Sequence, residues 1–89
     1  MEGIYEKFKI VSVSSNTNSF GLHGVVILAK SGTAFEIGMG SINNPTKGAE
    51  LFCKISEQGN LLEIQGKSYE IPRKLPNAPK EVIAEVFKD

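Results

Sequence analysis

The sequence is poor in the groups that usually carry chemistry. It holds one cysteine, Cys53, and one histidine, His23, and its only aspartate is the last residue, Asp89. A single cysteine excludes an internal disulfide and a cysteine-based zinc site, so neither a covalent nor a metal staple is expected to support the core. No metal or cofactor is implied. The longest uninterrupted apolar run, Val25-Val26-Ile27-Leu28-Ala29, falls far short of the ~20 residues that a membrane helix requires. The opening residues Met1 to Lys7 lack a basic stretch followed by an apolar one. These features read as a cytoplasmic protein with no membrane partner. Ten basic and ten acidic residues cancel, which removes the long-range field that draws non-specific binders to phosphate. Any nucleic-acid site must therefore be a local patch. There is no internal repeat and no low-complexity segment.

What the chain does contain is material for one small core. Apolar residues make up 40% of the 89 positions and charged residues 22%, enough to fold without the high charge of a disordered chain. One domain over residues 1–89 is the expectation, since about 60–65% of the unfolded surface can be buried at this size. Residues 4–14 alternate apolar and polar, but the phase slips. Phe8 and Ile10 share one face while Val11 and Val13 share the other, as a β-bulge in a bent strand produces. The polar run 14–19 is expected to be a turn or a mobile loop.

Residues 22–30 and 33–40 read as a hairpin about a two-residue turn, Ser31-Gly32. That register pairs Lys30 with Thr33, Leu28 with Phe35, Val26 with Ile37 and Gly24 with Met39 on a core face. Ala29–Ala34, Ile27–Glu36, Val25–Gly38 and His23–Gly40 fall on the opposite face. Residues 41–48 form an irregular connection because Pro45 and Gly48 bar a strand. A strand over 49–56 puts Leu51, Cys53 and Ile55 on one side and Phe52 and Lys54 on the other. Strands 61–65 and 67–71 flank a tight turn at Gln65-Gly66, and Pro72, Pro76 and Pro79 rule out further sheet. A helix over about 78–88 closes the chain, with Asn77 as its cap, Pro79 in its first turn, and Val82, Ile83, Val86 and Phe87 in one stripe.

The fold class is thus mainly β: a small barrel of five or six strands with one short C-terminal helix. The order of long bent strand, hairpin, irregular connection and two more strands resembles the oligonucleotide/oligosaccharide-binding (OB) fold over residues 4–71. An SH3-like barrel is the alternative. The OB resemblance implies a nucleic-acid surface on the second and third strands, with aromatics for base stacking and basic residues around them.

Catalysis needs a nucleophile with a base, paired carboxylates or a metal. His23 and Cys53 are the only conceivable pair, and the phase of Cys53 with Leu51 and Ile55 marks it as a buried small apolar residue. Gly38-Met39-Gly40-Ser41 is not followed by a helix, so it lacks the context of a phosphate loop. An enzyme is not expected. The expected protein interface is the low-relief apolar face Val25, Ile27, Ala29 and Ala34 with Glu36, covered either by the C-terminal helix or by a partner. That face carries no aromatic ring, so nucleic-acid candidates fall around it: Phe20, His23, Lys30, Lys47, Phe52 and Lys54 as a rim, and Tyr69 with Arg73 and Lys74 as a second cluster. The function expected from these residues is a binding module that docks on a protein or on itself, in the style of a phage- or plasmid-encoded accessory protein. The alternative is an OB-type binder of single-stranded nucleic acid.

Overall fold

A computed structural model describes residues 3–17, 23–38, 42–64, 66–70 and 73–88, with the side chains of residues 3, 4, 15–17, 23 and 73 left out. The strands are β1 (Gly3–Thr17), β2 (His23–Ala29), β3 (Ala34–Gly38), β4 (Glu50–Ser56), β5 (Leu61–Ile64), β6 (Lys67–Glu70) and β7 (Arg73–Leu75), followed by helix α1 (Lys80–Val86). They form one antiparallel sheet in the order β6-β5-β4-β1-β2-β3-β7, curled into a half-barrel. The curl is visible in the connectivity. β6 and β7 are the two opposite edges, yet only residues 71 and 72 separate Glu70 from Arg73. Three peptide steps span at most about 11 Å, so the sheet must bring its ends close together.

β1 holds the two halves together. Residues 3–9 pair with β4, residues 8–17 pair with β2, and Phe8 and Lys9 pair on both sides. The register jumps from Ile10↔Ile27 to Ser12↔Val26, so Val11 is the extra residue of a bulge at the place where the sequence phase slips. Beyond the end of β4 the ladder is continued by the connecting loop: Ile10 N–H donates to the Ala49 carbonyl at 2.9 Å, and Gly48 N–H to Ile10 at 2.7 Å.

The β2–β3 hairpin differs from the expected one by a single residue. Its loop is Lys30-Ser31-Gly32, closed by Ala29 N–H to the Thr33 carbonyl at 2.8 Å and Gly32 N–H to Ala29 at 2.9 Å. Gly32 has φ +99°, the left-handed residue that a three-residue hairpin needs. The pairs are therefore Leu28↔Ala34, Ile27↔Phe35, Val26↔Glu36 and Val25↔Ile37. A one-residue slip turns a strand over, so the expected core pairs of Leu28 with Phe35 and Val26 with Ile37 are incorrect. Phe35 and Ile37 do face inward, but their partners are Ile27 and Val25.

The core consists of Phe8, Ile10, Val25, Ile27, Ala29, Phe35, Ile37, Cys53, Leu62 and Ile64, with Leu51, Ile55 and Tyr69 partly buried against it. Phe8 and Phe35 stack at 5.9 Å between ring centroids. Each large side chain buried here stabilises the fold by about 1.5–3 kcal/mol.

Two further expectations need correction. Pro72 and Pro76 do not exclude a strand between them: β7 occupies the three residues from Arg73 to Leu75. As an edge strand paired only to β3, it needs no proline N–H. The cap of α1 is Pro79, with no side-chain hydrogen bond, so Asn77 does not serve. No helix residue is buried, yet Leu28, on the outer side of β2, is only 2% exposed. The C-terminal segment covers that side. Ala78 N–H donates to the Gly32 carbonyl at 2.9 Å, Lys9 Nζ donates to the Val86 carbonyl at 3.1 Å, and Lys9 lies over the Phe87 ring at 5.4 Å. Lys9 is the cross-strand neighbour of Leu28. Among the described residues no helix is long and apolar enough to cross a membrane.

Candidate functional site

The register assigns every side chain on the outer surface of β1 and β4. Because Phe8, Cys53 and Leu51 point inward, Tyr5, Lys7 and Lys9 of β1 and Glu50, Phe52 and Lys54 of β4 must point outward. The ladder sets Tyr5 opposite Lys54, Lys7 opposite Phe52 and Lys9 opposite Glu50, and it continues from Lys54 to Glu63 of β5. Aromatic and basic side chains thus alternate in a checkerboard, with Tyr5 and Phe52 on the diagonal, about 7–8 Å apart at the backbone. Phe52 is 66% exposed and Tyr5 58%, whereas large rings are ordinarily taken out of water.

The two rings differ in freedom. The Tyr5 hydroxyl donates to Glu63 Oε2, and Lys54 Nζ sits 5.4 Å from the Tyr5 ring centroid. The carboxylate that accepts the phenol proton raises the pKa of Tyr5 above its usual value, with desolvation and the Glu63 charge acting the same way. Tyr5 therefore remains a neutral, oriented ring. Phe52 has a greater share of its surface open to solvent, and a shallow pocket beside it is bordered by Tyr5, Leu51, Ile64 and Gly66. Lys7 pairs with Glu50 at 3.1 Å, both about half exposed, so this bond is readily exchanged for another anion.

The residues singled out from sequence are dispersed by the fold. Val25, Ile27 and Ala29 are wholly buried in the core and offer no docking surface; the three-residue loop, which reverses the face of β2, is the reason. Ala34 is buried on the outer side with Leu28, and Glu36 is half-buried there. Lys54 and Phe52 do share the exposed face. Lys30 is exposed in the hairpin loop and lines a cleft beside β1. Lys47 is exposed in the connection before β4. Tyr69 and Lys74 stand on opposite edge strands, Tyr69 partly buried and Lys74 exposed. Phe20 lies outside the described residues, as do the side chains of His23 and Arg73. Tyr5 and Lys7 were not anticipated. The alternation of Tyr5, Lys7 and Lys9 against Phe8 and Ile10 marks them as outward, but nothing local says that β4 will bring Phe52 alongside.

Cys53 is wholly buried, and burial pushes its thiol up to about 12. At neutral pH it is a thiol and not a thiolate, so it lacks the nucleophilic form. Among the described residues no three His, Cys, Asp or Glu side chains gather as a metal site. Comparison with protein-family models, curated proteins and solved structures returns no match, so a reading of this face rests on its own geometry.

Proposed function

We propose that the chain is a non-enzymatic binding module whose contact surface is the outer face of β1 and β4, and that single-stranded nucleic acid lies on it. The observation that carries this reading is the pair of exposed rings, Phe52 and Tyr5, each set opposite a lysine on the neighbouring strand. Sequence-tolerant binders use this combination: bases stack on the rings because every base has a π-face, and ammonium groups take the phosphates. A whole-molecule field is not required when the lysines stand beside the stacking surface.

The test is a fluorescence titration of labelled oligothymidylate across salt concentrations. Two phosphate contacts, at Lys7 and Lys54, should give log K a slope of about −1.4 against log salt, from roughly 0.7 per contact for single strands. Salt-independent binding, or none in low salt, would contradict the reading. Docking on a protein or on a second copy is the other reading, and Glu50 and Glu63 favour it by leaving the patch almost neutral. Light scattering separates the two, since a self-docking module would gain mass with concentration and lose it when Phe52 is made charged.

A further inference from the structure

The β2–β3 hairpin loop brings a further lysine beside the outer face of β1. Phe8 pairs with Ala29 at the end of the β1–β2 ladder, and Lys30 follows as the first residue of the hairpin loop. The Ser31 hydroxyl, donating to Glu6 Oε2 at 2.6 Å, ties that loop to β1. Glu50 neutralises Lys7. Among the described residues Lys30 has no carboxylate partner, and Lys9, set opposite Glu50 in the ladder, donates to the Val86 carbonyl and lies over the Phe87 ring. These three lysines line one cleft of about 250 Å³, together with Glu6, Glu50 and Phe87. With three ammonium groups against the carboxylates of Glu6 and Glu50, the lining carries a net charge of +1, and the hydrogen bond from the neutral Ser31 hydroxyl leaves the charge of Glu6 in place.

We propose that this cleft is a phosphate subsite that takes the terminal phosphomonoester of a strand stacked on Phe52 and Tyr5, an assignment that rests on the function proposed above. Lys7 belongs to both surfaces and joins them. A monoester suits the cleft better than an internal phosphodiester on two counts. It carries close to two negative charges at neutral pH, against one for a diester, and is therefore drawn more strongly to a lining that is net positive. The cleft is also walled by Phe87 at the C-terminal end of α1, which favours the end of a strand over a strand passing through.

The test compares oligothymidylates that are unphosphorylated, 5′-phosphorylated and 3′-phosphorylated. Phosphate at one end should tighten binding about tenfold, the scale of hydrogen bonds to charged groups. Lys30→Gln should reduce that ratio to about one, and Glu50→Gln, which removes the competing carboxylate, should increase it. Phe52→Ala should weaken all three oligonucleotides while keeping the ratio. If oligonucleotides bind but neither terminal phosphate changes the affinity, the subsite is refuted and the proposed function stands. If no oligonucleotide binds, that function fails, and amide NMR shifts on adding inorganic pyrophosphate decide the cleft alone: shifts confined to Lys7, Lys9, Lys30 and Phe87 support it, and their absence overturns it.

Discussion

Replacing Ile27 with glutamate should leave no folded protein to assay. Ile27 is 0% exposed and lies between Ile10 of β1 and Phe35 of β3 in the ladder. Truncating such a side chain costs about 2–5 kcal/mol, and an unpaired carboxylate in its place adds a desolvation penalty that can only be relieved by protonation or unfolding. Domains of this kind have a total stability of about 5–15 kcal/mol, and one of 89 residues lies toward the lower end. Circular dichroism and a thermal melt would decide the matter. A cooperative melt with native strand content would mean that β2 faces the other way, with Val25, Ile27 and Ala29 at the surface as the two-residue turn required.

Phe52→Ala should do the opposite: keep the fold and lose the ligand. With two-thirds of its surface in water, Phe52 contributes little burial, and losing its cross-strand contact with Lys7 costs about 0.2–1 kcal/mol. A base stacked on an aromatic ring is worth about 1–3 kcal/mol, so affinity for oligothymidylate should fall by roughly 5- to 150-fold with little change in melting temperature. Tyr5→Phe is the control, because it keeps the ring and removes only the hydrogen bond to Glu63; its binding should stay near that of the unaltered protein. Undiminished binding by Phe52→Ala would remove stacking from the mechanism and favour docking through charge alone.

How far this fold could be read from sequence depended on whether each strand carries a phase. β1 does: Phe8 and Ile10 against Lys7 and Lys9 fix its inner side, and the slip at Val11 announces the bulge. β4 does as well, with Leu51, Cys53 and Ile55 against Phe52 and Lys54. The turn before β6 was legible because Gly66 can take its φ of +83°, and Ile64 pairs with Lys67 as a two-residue turn demands. β2 carries no phase. Its unbroken run from Val25 to Ala29 is apolar on both sides because both sides are covered: the core takes Val25, Ile27 and Ala29, and the C-terminal segment shields Leu28. With no polar side to orient the strand, one extra loop residue decided everything.

The candidate face was half legible for a related reason. Phe52 and Lys54 are outward by alternation, but their meeting with Tyr5 and Lys7 depends on a pairing across some forty-five residues of sequence. Turn chemistry and periodicity are local and do not report such a pairing. Val25, Ile27 and Ala29 of the apolar face that stood out in the sequence are core, and the exposed rings were assembled from residues that are unremarkable singly.

The most direct test of that face is a heteronuclear NMR titration of the protein with unphosphorylated oligothymidylate at low salt. Amide and aromatic shifts should concentrate on Tyr5, Lys7, Phe52 and Lys54, and should spare the edge strands at Tyr69 and Lys74. Shifts centred on those edge strands, or spectra unchanged at saturating oligonucleotide, would contradict the assignment of β1 and β4 as the binding surface.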